Sequence, residues 1–324
     1  AEAAMKFFVV GVVSTPIALL GAAFLVALSA STDIVAIAQM PLEPIHVLGL
    51  VLLLSGMGFK LGVVPFHMWV PDTYQAAPTT FVAFLSTAPK LAAMAALSRI
   101  YVFGYASASE KWVPLVLLLS IATLILGNLS ALTQSNTKRL LGYSGIGHVG
   151  YLLMGLLVVD SFGLEALLFY LVAYALTNLG AFLAVEAIES NDGDGNMTDL
   201  NGLWSRAPWL ALSMLLFLLS LAGIPFVVGF WAKLYIFVAA WRGGHPGLVL
   251  LGALVAVVSL FYYLQLARCM YMTAPATNSN PLRVGLSLKV AVLVCVAGVV
   301  GLGLYPRPLL ETAHAAAVEF GAAR

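Results

Sequence analysis

Nine long apolar runs, separated by short polar segments, follow one another along this chain of 324 residues. A helix that crosses a bilayer needs about 20 apolar residues, and in lipid its backbone groups must be satisfied within the segment, which favours helices. Charged residues make up 9% of the chain, against about 25% in soluble domains. We therefore predict an all-α polytopic membrane protein with about nine transmembrane helices. The runs cover residues 7–28, 45–69, 80–103, 112–132, 140–159, 164–188, 208–240, 248–272 and 284–304.

The composition also excludes several classes of function. The net charge is +1, so bulk electrostatics give no reason to expect nucleic acid as a partner. Cys269 and Cys295 lie in separate apolar runs and are interpreted as small hydrophobic residues. The sequence contains no dinucleotide fingerprint, no phosphate-binding loop and no cysteine cluster for iron–sulfur binding. We expect neither a cofactor nor a metal nor a redox centre in this chain.

The one long polar segment, residues 189–206, includes the stretch 191–195, Asn-Asp-Gly-Asp-Gly. Acidic residues at this spacing also occur in calcium-binding loops. Apolar runs flank the segment and no glutamate closes it, so a solvated linker is the better interpretation. The chain opens without an initiator methionine or a basic leader, and we expect that it begins inside a longer protein.

Loop cations indicate an orientation in the membrane. Lysines and arginines are more frequent in cytoplasmic loops, and by our assignment six lie on the side where the first run begins, against four on the other side. This bias predicts that the C-terminus lies on the non-cytoplasmic side. We expect a multi-pass protein of the bacterial inner membrane. The six are Lys6, Lys138, Arg139, Arg206, Arg268 and Arg283, and the four are Arg99, Lys111, Arg242 and Arg307.

Three lysines lie inside apolar runs, with no other charge close by: Lys60, Lys90 and Lys233. A cation at the centre of a bilayer costs about 3 kcal/mol or more, and such residues usually face a bundle interior or a water path for ions or protons. A lysine near a helix end can instead extend its amine to the interface. That alternative stays open for Lys233, because Arg242 follows nine residues later.

Two of the runs carry similar interruptions. Residues 53–66 and 218–230 each pass from a Ser- and Gly-containing stretch to a proline, Pro65 in the first and Pro225 in the second. By our assignment the two runs cross the membrane in opposite directions. Paired interrupted helices of opposite direction are typical of inverted-repeat transporters. Two ordinary proline kinks are the alternative.

Other polar residues lie close to these lysines in the sequence. His148 lies within the fifth run, and His67 follows the first interruption. Because histidine titrates near neutral pH, it is a natural link between lysines, although a hydrogen-bonded structural role is the alternative for both. Tyr143 and Ser144 are candidates to hold water on such a path.

Some polar and aromatic residues have simpler interpretations. Lys138, followed by Arg139 at the start of the fifth run, is interpreted as a topology anchor, with a relay role as the alternative. Tyr262 and Tyr263 are interpreted as packing or interface aromatics.

Carboxylates are missing from the helix interiors. Glu165 and Glu186 lie near the ends of a run. Since an intramembrane lysine normally needs a partner, we expect the partner of Lys60 to lie upstream of this chain or in a neighbouring subunit.

Three segments together resemble the antiporter-like subunits of respiratory complex I. Residues 58–79 read GFKLGVVPFHMWVPDTYQAAPT, residues 136–151 contain NTKRLLGYS followed by GHVGY, and residues 221–233 contain LAGIP followed by GFWAK. Within that family, the stretch from Pro-Phe-His to Tyr-Gln is most similar to the subunit N branch of NADH–quinone oxidoreductase. The resemblance covers essentially the whole chain. Ala76 and Thr80 depart from it, because the family often has Gly and Pro there.

The resemblance implies a fold of fourteen helices with two inverted five-helix repeats, of which this chain would hold the sixth to the fourteenth. Residues 1–110 would then complete the first repeat, with a broken helix at about 45–74. Residues 111–275 would form the second repeat, with a broken helix at about 207–240. Residues 276–324 would form the last transmembrane helix and a tail.

The resemblance also implies roles for individual residues. Lys60 and Lys233 match the lysines of the two broken helices, Lys90 the lysine of the helix after the first, and His148 the histidine of the connecting path. The family's glutamate partner for the first lysine would lie upstream of Ala1.

The function implied is that of a proton-translocating membrane-arm subunit, a part of an H⁺-translocating NADH:quinone oxidoreductase. NAD, FMN, iron–sulfur clusters and quinone are then expected in other subunits. The expected partners are a neighbouring antiporter-like subunit, the small helical membrane-arm subunits and lipid. The alternatives are a subunit of a multisubunit Mrp-type cation/proton antiporter and a scaffolding membrane subunit without its own proton path.

Overall fold

The computed structural model describes residues 1–27, 31–38, 42–275 and 281–322. Within these ranges the chain is helical and has no strand beyond one isolated bridge between Asn136 and Asn196. A π-helix, Ser98–Gly104, and 3₁₀ turns at Ala106–Ala108 and Met197–Leu200 supplement the α-helices. The α-helices are α1 Glu2–Ala27, α2 Ile34–Ala38, α3 Pro44–Leu61, α4 Trp69–Ala76, α5 Thr79–Leu85, α6 Ala88–Leu97, α7 Ser109–Ala131, α8 Thr137–Leu156, α9 Ser161–Asp192, α10 Leu203–Arg206, α11 Pro208–Ala222, α12 Val228–Arg242, α13 Pro246–Met272, α14 Leu286–Leu304 and α15 Arg307–Ala322.

Seven helical segments in the described ranges are long and apolar enough to cross a membrane. Two of the nine expected spans are not among these seven segments. The run 140–159 corresponds to α8, which has 20 residues and begins with Lys138 and Arg139 in its first turn. The run 208–240 forms α11 and α12, of 15 residues each. The multi-pass helical architecture is confirmed, and the number nine stays a prediction.

Helix α9 lies at the centre of the fold. It has 32 residues and packs against α5, α8, α11, α12, α14 and α15. Its neighbour α8 is buried on all sides, and only Arg139 and Tyr143 of its residues are not buried. The polar residues of α8 therefore lie inside the protein rather than against lipid.

Helices α7 and α8 pack backbone against backbone. A Cβ added to Gly127 would lie 2.5 Å from the Gly147 nitrogen, and one added to Gly150 would lie 2.7 Å from the Leu124 side chain. Small residues permit such close approach in membrane helix pairs, where packing drives association. The glycines of α8 thus fix its position against α7.

The two predicted helix breaks are present, and each begins at a glycine. Gly62 follows α3 with φ 75°, and Gly223 follows α11 with φ 87°. In both, the amide after the glycine donates to a carbonyl five residues back, at 2.9 and 3.0 Å. This is the Schellman ending that glycine favours. Pro65 and Pro225 lie in the loops beyond, where they prevent the helix from continuing at once.

A third interruption was not predicted. The run 80–103 was expected to be one continuous helix, but α5 ends at Leu85 and α6 begins at Ala88. The hydroxyls of Ser86 and Thr87 donate back to the Ala83 carbonyl, at 2.9 and 3.0 Å. Such side-chain bonds compete with the helical ladder, and Pro89 also lacks an amide for it.

The interpretation of residues 189–206 as a solvated linker is wrong for much of its length. Helix α9 continues to Asp192, and Met197 and Leu200 further on are buried. The Met197 amide donates to the Ser135 carbonyl at 2.9 Å, which ties the segment to the start of α8. In the described ranges, no group of three or more potential ligands for a metal ion is found.

The second break generates a stability prediction. Gly223→Ala places a Cβ at φ 87°, 2.7 Å from the Lys233 side chain, whereas Gly244→Ala places one at φ 82° with nothing within 4 Å. Both variants meet the left-handed penalty of roughly 1–2 kcal/mol, but only Gly223→Ala must also displace Lys233. We expect a larger loss of unfolding free energy for Gly223→Ala, measured by denaturation in mixed micelles. Equal losses in the two variants would contradict the contact.

Candidate functional site

Lys90 is held inside the protein by neutral groups. Its side chain is 1% exposed, and Nζ donates to the Gly145 carbonyl at 3.0 Å and to the Tyr174 hydroxyl at 3.1 Å. A Cβ added to Gly145 would lie 3.0 Å from Nζ, so glycine leaves the room for this approach. Within the described ranges, no carboxylate forms an ion pair with Lys90.

His148 lies in a chain of hydrogen bonds that joins α8, α9 and α13. Nδ1 is 2.8 Å from the Tyr170 hydroxyl, and Nε2 is 3.3 Å from the Tyr263 hydroxyl. The Tyr263 hydroxyl also lies 2.5 Å from Ser144 Oγ. Every group in this chain can both donate and accept a proton, since one imidazole nitrogen donates while the other accepts.

Lys233 is bound by the second break. It is 6% exposed, and Nζ donates to the carbonyl of Ala222, the last residue of α11, at 2.8 Å. Carbonyls at a helix C-terminus carry partial negative charge, which favours a cation. Nζ also lies 5.1 Å from the centre of the Tyr151 ring. Because this side chain is buried, the alternative that it extends to the interface is wrong.

A small cavity, lined by both polar and apolar groups, lies between the His148 chain and the second break. Its volume is about 10 Å³, and its lining includes His148, Tyr174, Thr177, Ser220 and Gly229. This is about the space that one water molecule requires. Thr177 Oγ1 lies 2.9 Å from Ser220 Oγ, which also accepts from the Gly229 amide at 3.1 Å. Polar groups thus continue from His148 to the break that holds Lys233.

Lys138 belongs to a second, separate group of polar side chains. It is 6% exposed, and its Nζ lies 3.0 Å from Glu189 Oε1. It also donates to the Ala77 carbonyl at 3.2 Å, and the Thr79 hydroxyl donates to Glu189 Oε2. Lys138 therefore lies inside the protein, in a largely buried ion pair at the start of α8 rather than in a loop, and its role as a topology anchor stays a prediction.

Asp72 links three helices at the first break. Its carboxylate accepts from Lys6 of α1 at 2.5 Å and from Arg139 of α8. Burial raises the pKa of the Asp72 carboxyl, but the hydrogen bonds from Lys6 and Arg139 outweigh it, so the pKa lies below its usual value. Tyr143 lies beside this group, with its ring centre 6.0 Å from the Arg139 guanidinium.

Lys60 and His67 are not brought together with Lys90. Lys60 is exposed on the surface of this chain, with Nζ 5.3 Å from the ring centre of Phe59, and no carboxylate in the described ranges pairs with it. His67 is half-buried, and its Nδ1 has no partner within those ranges. That the partner of Lys60 lies elsewhere stays a prediction.

Backbone groups freed by the first break find side-chain partners. The Val64 amide donates to Thr123 Oγ1 at 3.2 Å, and the Trp69 indole donates to the Phe59 carbonyl at 3.0 Å. Irregular backbone within a membrane is tolerated where such partners exist.

Sequence reasoning missed the tyrosines of the site. Tyr263 packs in the core as expected, 2% exposed and with its ring against Tyr262, but it is also hydrogen-bonded to Ser144 and His148, which was not predicted. Tyr262 is also buried and donates to Asn128 Oδ1 at 3.1 Å. Tyr170 and Tyr174 were not singled out, although a spacing of four residues places them on one face of α9.

Comparison with known proteins identifies the family. The profile described as "NADH:quinone oxidoreductase/Mrp antiporter, TM" matches residues 1–259. The chain belongs to this family. It is 41% identical over 326 residues to NADH-quinone oxidoreductase subunit N 2 of Roseiflexus castenholzii, covering 96% of this chain and 65% of that protein. It is also 41% identical over 324 residues to subunit N of Moorella thermoacetica, covering 99% of this chain and 68% of that protein.

Solved structures agree with this membership. A chain of respiratory complex I from Thermus thermophilus with bound Aureothin is 36% identical, with a TM-score of 0.82 over 96% of this chain and 68% of that one. A chain of the Mrp complex from Dietzia sp. is 24% identical with a TM-score of 0.91, over 98% and 68%, which shows a shared fold. The resemblance to antiporter-like subunits is confirmed. This chain spans about two thirds of the length of these relatives.

The bond between Ser144 and Tyr263 generates a thermodynamic prediction. We expect Ser144→Ala and Tyr263→Phe to be non-additive by about 0.5 kcal/mol or more, as is usual for groups in contact. The free energy of unfolding in mixed micelles of both single variants and the double variant measures this. Tyr151→Phe is the matched control, because its hydroxyl donates to the Gly252 carbonyl instead. Additivity in the Ser144 and Tyr263 cycle would exclude an energetic bond.

The ion pair between Lys138 and Glu189 generates a second thermodynamic prediction. Lys138→Met leaves a largely buried carboxylate unpaired, which costs about 3 kcal/mol, and a further Glu189→Leu change should recover part of this loss. In Lys6→Met, by contrast, a side chain that is 42% exposed is removed, and solvent-exposed ion pairs contribute little to stability. Unfolding free energies measured under the same conditions compare the three variants. Equal losses for Lys138→Met and Lys6→Met would disprove the difference in burial.

Proposed function

We propose that this chain is a proton-translocating membrane-arm subunit of an H⁺-translocating NADH–quinone oxidoreductase. The observation that carries the proposal is the row of buried Lys90, His148 and Lys233, joined by hydroxyl groups and a water-sized cavity. Its relatives of 41% identity bear the name of subunit N of that enzyme, which supports the same assignment.

Each member of the row is suited to a step of proton transfer. The amines of Lys90 and Lys233 are held by carbonyl and hydroxyl oxygens, so either can exist charged or neutral without leaving a carboxylate unpaired. His148 has a hydroxyl at each ring nitrogen and takes up a proton at one nitrogen while it releases one from the other. Ser144 supports the path through Tyr263.

The other predicted residues take supporting roles in this proposal. Lys60 responds to the charge of a partner outside this chain, because it is exposed and unpaired within the described ranges. His67 and Tyr143 lie next to the first break and its ion pairs, and Lys138 contributes through its pair with Glu189.

The proposal extends to organisation and partners. Residues 1–110 and 111–275 complete two inverted repeats, and residues 276–324 follow them with a last span. Neighbouring antiporter-like and small helical subunits deliver the charge shifts that drive proton movement in a bacterial inner membrane. NAD, FMN, iron–sulfur clusters and quinone act in other subunits. An Mrp-type antiporter shares the fold at 24% identity, whereas the identity of 41% favours subunit N.

Replacement of the buried lysines tests this function. We expect Lys90→Met and Lys233→Met to abolish proton pumping in inverted membrane vesicles supplied with NADH, and to slow coupled quinone reduction, in an assembled complex. Lys111→Met is the matched control, because Lys111 is exposed at the start of α7 and should leave both rates unchanged. Lys60→Ala is expected to reduce pumping as well.

Normal pumping in both Lys90→Met and Lys233→Met would disprove the translocation role. It would favour a scaffolding subunit, for which these lysines carry no function.

A further inference from the structure

We propose that Glu189 collects protons at the membrane side where α8 begins and passes them to Lys90 along the seam between α5 and α9. This inference rests on the proposed function and adds the uptake route to it. It depends on polar contacts at the two ends of the seam and on unpaired polar atoms between them.

The outer end of the seam joins water and protein. Glu189 lies in the last turn of α9, and its side chain is 16% exposed. Its two oxygens meet the ammonium of Lys138 at 3.0 Å and the hydroxyl of Thr79. The carboxylate therefore contacts the aqueous edge on one side and hydrogen-bond donors that lead inward on the other.

The charge of Glu189 matters strongly at this position. Lys138 and Arg139 lie in the first turn of α8, where the helix macrodipole disfavours cations. Arg139 is compensated by Asp72 and Lys138 by Glu189. Protonation of Glu189 leaves the Lys138 ammonium without a negative partner. This unpaired positive charge favours release of the proton from Glu189.

The inner end of the seam reaches Lys90 directly. Asn178 Nδ2 donates to Ser86 Oγ at 2.7 Å, and the Tyr174 hydroxyl is 3.3 Å from the Ser86 carbonyl. The same Tyr174 hydroxyl binds Lys90 Nζ at 3.1 Å. A proton that reaches the Tyr174 hydroxyl is thus one hydrogen bond from the amine.

Unpaired polar atoms lie between these ends. Tyr74 Oη and Asn178 Oδ1 are buried and have no partner in the described ranges. The Tyr74 ring packs edge-on against Phe182, with centres 5.7 Å apart, and Phe182 lies on α9 between Asn178 and Glu189. Buried polar groups almost always bond to protein or ordered water. These two atoms therefore mark sites for water along the seam.

A purely structural role for the same residues makes a different prediction. If the pair of Glu189 and Lys138 only ties α8 to α9, then Tyr74→Phe removes a hydroxyl without a protein partner and leaves activity unchanged. If the seam carries protons, the same variant loses a member of the route and slows turnover.

The test uses NADH–quinone turnover of the purified, assembled complex. Glu189→Gln keeps the shape of the side chain but cannot bind a proton. We expect turnover to fall about tenfold or more in both Glu189→Gln and Tyr74→Phe, since a positioned proton-transfer group contributes about 10²-fold or more to the rate. Added formate, a small weak acid that carries protons past the missing carboxylate, should restore much of the rate in Glu189→Gln. Glu186→Gln, on the same helix and partly buried, is the matched control and should turn over normally.

Wild-type turnover in either Glu189→Gln or Tyr74→Phe, or a slow Glu189→Gln that formate does not relieve, would overturn the route. If Glu189→Gln fails to assemble, Tyr74→Phe decides alone, because it removes only an unpaired hydroxyl. A Lys90→Met variant without pumping, beside a Glu189→Gln variant with normal turnover, would refute the uptake route and leave the proposed function standing.

Discussion

The structure depends on one constraint, that polar groups deep in an apolar interior must find partners within the protein. At the second break this constraint is met by Lys233, whose amine binds the carbonyl that α11 leaves free at Ala222. The hydrogen bond satisfies both the carbonyl that the break frees and the buried amine. The first break uses Thr123 and Trp69 for the same purpose, and its lysine, Lys60, is left at the surface. The two breaks share a backbone form but differ in what binds them.

Neutral oxygen atoms, rather than carboxylates, surround the inner lysines. A fixed anion beside Lys90 or Lys233 would hold each in its charged form by the attraction of opposite charges in a medium of low dielectric constant. A tyrosine hydroxyl and backbone carbonyls can bind the amines in either form. Carboxylates appear instead at the membrane edge, where Asp72 and Glu189 compensate the two cations at the start of α8. Paired charges thus lie at the edge of the protein, whereas the inner amines have no carboxylate partner among the described residues.

The length of the apolar runs and the glycine–proline patterns were enough to predict the helical membrane fold and both breaks, because these follow from local chain properties. Lys90, Lys233 and His148 were also recognisable, since a polar residue inside an apolar run is conspicuous in the sequence. Tyr263 and Glu189 were not, because tyrosine is common in membrane interfaces and Glu189 stands at the end of its run. Their roles arise from contacts across more than 50 residues of sequence, such as that between Lys138 and Glu189. The interruption at Ser86 and Thr87 was not predicted, because its cause is a pair of side-chain hydrogen bonds rather than a glycine.

The backbone contact between α7 and α8 limits how this protein can move. With the glycines of α8 pressed against α7, a rotation or slide of α8 would drive main chain into main chain. The positions of His148, Ser144 and the carbonyl that binds Lys90 are therefore fixed relative to α7. In the proton path proposed above, changes of state would then come from rotamers of the long side chains and from exchange of water. Such motions are fast and need little space, so the proposed path would operate without displacement of α8.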